Sequence, residues 1–184
     1  TPMALYWHVA NKDELLAAMG DALLAGVTPP PATGPWHVQL RGVVDGLIEN
    51  LSQHPAAAGL VFPRILVTEP GLRITEFTLA LLEGAGFPRK QAADLARMGL
   101  QTAMMLVTQL PGAESQAAAE ERDRLQAEKR AHVEGLPDEL YPRVRAAAVD
   151  LTDCDDEAAY YDFGVDLYIE GAQALLRRIK RASA

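Results

Sequence analysis

The sequence predicts an all-helical protein, and three observations predict it. Ala, Leu, Glu and Arg dominate the 184 residues, and these are strong helix formers. No β-branched or aromatic run alternates with period two. Apolar residues instead recur every three to four positions inside segments delimited by Pro and Gly.

The elements follow in order. Residues 2–9 form a short apolar-aromatic segment that stops at Ala10-Asn11-Lys12. Asn11 is a good N-cap, and Glu14 three residues on gives a capping-box-like start. A helix is predicted over Lys12–Ala25, with Leu16, Met19, Leu23 and Val27 on its apolar side. Four prolines and a glycine over Thr28–Pro35 dictate a loop, and we place the domain boundary there. The expected domains are 1–27 and 35–184.

A second helix is expected over Trp36–Gln53, with Val43, Leu47 and Leu51 on one stripe. A short segment runs from Pro55 to a break at Pro63. Another helix covers Pro70–Gly84, ended by Gly84-Ala85-Gly86-Phe87-Pro88. Pro88 opens a long helix to Leu110, closed by Pro111-Gly112. Residues 114–132, dense in Glu, Arg and Ala, read as a charged helix or a link. One short helix fits 137–149, interrupted near Pro142. The last helix spans Asp155–Arg181, acidic at its start and basic at its end, as the helix dipole favours.

That last helix carries two apolar stripes. Val165, Ile169, Ala172, Leu176 and Ile179 form one. Phe163, Leu167, Gly171 and Ala174 form the other, with Gly164 as a second small residue permitting close approach. One stripe packs inside its own domain, and the other needs a second surface. A symmetric homodimer is the economical answer, and a central helix buried within one domain is the alternative.

Totals narrow the function. The net charge of −8 argues against a broadly basic nucleic-acid-binding surface, although it leaves room for a small local module. Cys154 is the single cysteine, so no intrachain disulfide forms and its thiol reads as a bystander. No signal peptide and no apolar run near eighteen residues is present, and a cytoplasmic location with no membrane partner is expected. Asp45 and Glu49 share a helix face at i, i+4. They read as solvated charges, and no nucleophile–base or metal-ligand spacing points to an enzyme or a cofactor.

Two segments carry a family resemblance. Leu5-Tyr6-Trp7-His8-Val9-Ala10-Asn11-Lys12-Asp13-Glu14-Leu15-Leu16 resembles the end of the TetR-family helix-turn-helix and the start of its connecting helix. Tyr161-Asp162-Phe163-Gly164-Val165-Asp166-Leu167-Tyr168-Ile169-Glu170-Gly171 resembles the last helix of the tetracycline-repressor-like C-terminal domain. The resemblance implies a TetR-like all-α fold: a partial N-terminal helix-turn-helix, then a helical ligand-binding and dimerisation domain that closes a four-helix-bundle dimer interface.

It implies a repressor that binds double-stranded operator DNA as a homodimer and is released by a small hydrophobic effector. A dimeric helical small-molecule-binding protein without DNA binding is the alternative. Pro2, Met3, Ala4, Tyr6, Trp7, His8 and Lys12 fall at positions that face DNA in the family. Tyr6 and His8 suit phosphate contacts, and Lys12 adds charge at a helix N-terminus. Thr1 to Ala4 offer little for base readout, so specificity also draws on residues preceding Thr1.

In the sensing half, Val43, Leu47, Thr78, Gln109 and Pro63 or Arg64 stand where the tetracycline repressor has its drug and metal contacts. None keeps that chemistry, so no magnesium site and no tetracycline response is expected. The expected effector wall is Val43, Leu47, Phe62, Phe77, Leu81, Met104, Met105 and Thr108, with Arg64, Thr78, Gln101 and Gln109 to orient a ligand.

Overall fold

The structure is a computed structural model that describes residues 11–111 and 119–182. Among the described residues every regular element is helical.

Helix α1 spans Lys12–Ala25. The Asn11 side chain accepts the Glu14 backbone N–H at 2.9 Å, the cap that the sequence predicts. The helix buries Gly20, Leu23 and Leu24 against a 3-10 helix at Pro55–Val61. Gly20 permits that approach, since a Cβ there would lie 2.7 Å from the Leu60 carbonyl oxygen. The Pro-rich loop then drops Val27 into the core before the next helix.

Helix α2, Trp36–Ser52, is the centre of the molecule. Leu40, Val43, Val44, Leu47, Ile48 and Leu51 are all buried, a stripe wide enough to serve several neighbours. The 3-10 helix and three later helices pack on it. Helix α3, Glu69–Ala85, starts one residue before the predicted Pro70 because Thr68 caps it, accepting the Gly71 N–H at 3.3 Å. It ends at Gly86, whose φ of 107° is left-handed, and the Phe87 N–H closes on the Leu82 carbonyl at 3.1 Å. Helix α4, Arg89–Thr108, follows directly after Pro88.

Helix α5, Ala119–Glu134, settles the charged segment as a helix. Its main neighbours are two short helices, α6 at Pro142–Ala146 and α7 at Ala148–Thr152, so these three form a satellite beside the main bundle. Arg130 donates to Asp153 at 2.7 Å and ties the satellite's two ends. The single helix expected over 137–149 is corrected to this pair. Pro142 pushes Tyr141 out of helical geometry, and Ala147 (φ −100°, ψ 17°) separates the two turns.

Helix α8, Glu157–Ala182, runs 26 residues, on the order of 39 Å. Its Val165, Ile169, Ala172 and Leu176 stripe is buried against α2 and α4. No described helix is long and apolar enough to cross a membrane.

Candidate functional site

The helices leave a cavity of about 410 Å³ between α2, α3, α4 and α8, walled on the α1 side by the turn that follows the 3-10 helix. Leu40, Val43, Val44 and Leu47 of α2 form one wall, Ile74, Thr75, Thr78 and Leu79 of α3 a second. Ala93, Asp94, Ala96, Arg97, Gly99 and Leu100 of α4 and Tyr168 of α8 form the rest, and Phe62, Ile65 and Leu66 come from the turn. The lining is overwhelmingly apolar, and the volume suits part or all of a drug-sized molecule.

Of the expected effector-wall residues, Val43, Leu47, Phe62 and Thr78 line the cavity. The other eight are placed elsewhere. Arg64 turns away and makes a two-pronged ion pair with Asp21 of α1, Nε to Oδ1 at 2.6 Å and an outer nitrogen to Oδ2 at 3.0 Å. Phe77, Leu81 and Met104 pack on the core without reaching the cavity. Gln101, Met105 and Gln109 are exposed, and the Thr108 hydroxyl is spent on the Met104 carbonyl at 2.8 Å. The reason is helix travel: α4 passes the cavity with residues 93–100, and its Met-rich end has already moved beyond it.

Sequence reasoning missed Tyr168, Asp94 and Arg97. Burial pushes the Tyr168 hydroxyl above the ordinary phenol range, so it stays protonated and donates to the Leu95 carbonyl at 2.7 Å. Gly99 makes room for that ring, since a Cβ there would stand 3.0 Å from the phenol oxygen. Asp94 is bonded by Lys90 at 3.0 Å, which holds its carboxyl below the usual range, and by Arg97, also at 3.0 Å. The buried stripe beside Tyr168 was the available signal for it. Nothing local in the sequence marks Asp94 or Arg97.

A second feature lies on the outside of α8. Phe163 is 67% exposed and Leu167 62% exposed, Gly171 has open space at its Cβ, and Ala174 is exposed. Met98 and Met105 of α4 add exposed apolar surface. Gly164 is corrected from this outer stripe: it faces inward, and a side chain there would collide with Leu106 of the same chain.

Pro2, Met3, Ala4, Tyr6, Trp7 and His8 lie outside the described residues. Lys12 is exposed as the first residue of α1. Among the described residues no three His, Cys, Asp or Glu side chains are grouped to hold a metal. Burial pushes the Cys154 thiol up, which lowers its reactivity.

Asp45 sits with Arg41, Asp162 and Asp166 in a charged cluster where α2 meets α8, and Arg41 bonds to both α8 carboxylates. Burial pushes the Asp45 carboxyl above its ordinary value, against the pull of Arg41, and the two α8 carboxylates push it further. A carboxyl with a raised folded pKa binds its proton more tightly in the folded state. Its contribution is therefore favourable below the ordinary pKa and is lost as pH rises. Asp45→Asn is expected to raise Tm slightly at neutral pH, by less than about 1 kcal/mol of stability because the group is half exposed. The gain should vanish below pH 3.8. Thermal melts across pH check this, and an equal gain in acid would contradict it.

The comparisons agree with this architecture. A model of the tetracyclin repressor-like C-terminal domain matches residues 28–176. An HTH-type transcriptional regulator of Saccharopolyspora erythraea is 37% identical over 97 residues, which is 52% of this chain and 40% of that protein. The match thus spans less than half of that curated relative. Apo ActR of Streptomyces coelicolor superposes with a TM-score of 0.73 at 23% identity, covering 95% of this chain and 81% of the other. ActR in complex with actinorhodin gives 0.72 at 22% identity, with coverage of 95% and 81%. SCO7222, a TetR from Streptomyces coelicolor, gives 0.63 at 25% identity, covering 95% and 83%. With the family model matching most of its length and the helical frame shared with these regulators, the chain belongs to the TetR family, through its tetracyclin repressor-like C-terminal domain.

Proposed function

We propose that this chain is a ligand-responsive transcriptional repressor that binds operator DNA as a homodimer and is released by a small hydrophobic effector. Residues 1–27 would supply the end of the DNA-binding domain and the connecting helix, and 35–184 the sensing and dimerising domain. The single observation that carries the reading is the cavity and its connection. The turn that supplies Phe62, Ile65 and Leu66 to the cavity also supplies Arg64 to Asp21 on α1. An effector that displaces the turn therefore pulls on the helix that leads to the DNA-binding end. ActR has been crystallised with actinorhodin and with (S)-DNPA, which supports a small-molecule role for this architecture.

Release requires that the effector bind the DNA-free arrangement better, by about 1–3 kcal/mol of coupling. The direct test is a mobility shift with the complete protein on DNA upstream of its own gene, at low salt. A shift reversed by effector supports the reading, and no shift under these conditions overturns it. Filling the cavity gives a second check. Ala96 lines it and is small, so Ala96→Trp occupies space without removing an existing core contact. Effector affinity is expected to fall at least about tenfold while operator binding persists, giving a repressor that no longer responds.

A further inference from the structure

Three hydroxyls line the cavity, and each spends its proton on the protein. Thr75 donates to the Gly71 carbonyl at 2.9 Å, Thr78 to the Ile74 carbonyl at 2.8 Å, and Tyr168 to the Leu95 carbonyl at 2.7 Å. A hydroxyl has one proton and two acceptor lone pairs. These oxygens therefore have only acceptor capacity left for a ligand. Thr75 and Thr78 stand three residues apart on α3, on one face of that helix. Thr78 is only 5% exposed and Thr75 is half-buried, so both stand on the inner side of the lining. The other inner lining residues carry hydrocarbon side chains, and those on α2, α3 and α4 have their backbone amides bonded within their own helices.

The charged lining residues differ. Asp94 and Arg97 are substantially exposed, with side chains 44% and 60% accessible, and so belong to the mouth. Two cations, Lys90 and Arg97, share the one carboxylate of Asp94 there. With Lys90 just outside the lining, this cluster of three carries one net positive charge in a protein that is acidic overall.

The geometry points to an effector of defined polarity: an apolar body with a hydroxyl or N–H donor at its inner end, against Thr75 and Thr78, and a carboxylate or other acidic group at the mouth, against Arg97. This rests on reading the cavity as the effector site. A buried carbonyl or ether against the threonine wall would set lone pairs against lone pairs. A buried donor there gains a partner that the wall otherwise leaves unused.

The test uses rigid biphenyls and calorimetric titration of the whole protein. One probe carries a para-hydroxyl on one ring and a para-carboxylate on the other. Its O-methyl ether removes the donor, and its methyl ester removes the charge. Nile red serves as a neutral apolar reference. The hydroxy-acid is expected to bind tightest. O-methylation should weaken binding about tenfold, and esterification severalfold because the mouth is exposed. Thr78→Val keeps the side-chain shape and should erase the first difference but not the second. Arg97→Gln should do the reverse. Equal binding of the hydroxy-acid and its ether, or a difference unmoved by Thr78→Val, overturns the inference. If Nile red binds but no biphenyl displaces it, the inference falls and the effector cavity stands. If neither Nile red nor any biphenyl binds, the effector cavity falls with it.

Discussion

A protein carrying Phe163→Asp and Leu167→Asp is expected to be monomeric, and its operator affinity to fall about a hundredfold or more. Both side chains are largely exposed on the single chain, so their loss should cost the protomer little. Buried between two copies, each would contribute about 1.5–3 kcal/mol, and two-fold symmetry counts each twice. The substitution also adds carboxylates beside Asp162 and Asp166, which already face solvent on the same helix. In the proposed repressor a monomer would have one DNA-reading end where a dimer would have two, and linking two ends raises affinity by about 10²–10⁴ without new contacts. Sedimentation equilibrium and fluorescence anisotropy on a labelled operator measure the two effects. A double variant that still sediments as a dimer would place the interface elsewhere.

Arg64→Ala is expected to separate sensing from response. The Arg64–Asp21 pair is a side-chain link between the cavity turn and α1, and it is made with both prongs of the guanidinium. Because both groups are partly exposed, its removal should cost the fold only about 1 kcal/mol or less. The effector should bind nearly as before, since Arg64 does not line the cavity. The effector-induced drop in operator affinity should shrink by roughly an order of magnitude, which is about 1.4 kcal/mol of the coupling. Exchanging the partners, as Arg64→Asp with Asp21→Arg, should restore part of the response. Anisotropy titrations with and without effector decide it: an Arg64→Ala protein that responds in full shows that the signal travels by another contact.

What the sequence made legible was local. The Asn11 cap, the loop over 28–35, the Gly86 stop and the start after Pro88 are short-range signals, and each is found within a residue or two of its predicted place. The Thr68 cap was missed because it sits at the end of a turn with no apolar periodicity to announce it. The cavity was only partly legible for a different reason. Periodicity says that a stripe is apolar, and it does not say whether the stripe meets a core, a void or a partner. On α2, Val43 and Leu47 line the cavity, because that helix is surrounded. On α4, Met104 and Met105 do not line it, because the helix leaves the cavity before reaching them. Tyr168 joins the cavity from a helix about seventy residues beyond Leu95, whose carbonyl it holds. No pattern within one helix reveals such a meeting.

Leu167 and Tyr168 are neighbours in the chain, yet one points outward and the other closes the cavity. In a dimer sealed through the outer stripe, a single helical turn of α8 is in touch with the partner subunit and with the guest molecule together. Rotating that turn to fit a guest rotates the seam as well. In the proposed dimer, two cavities joined in this way would not fill as independent vessels, and occupancy of the first would set the terms on which the second is filled.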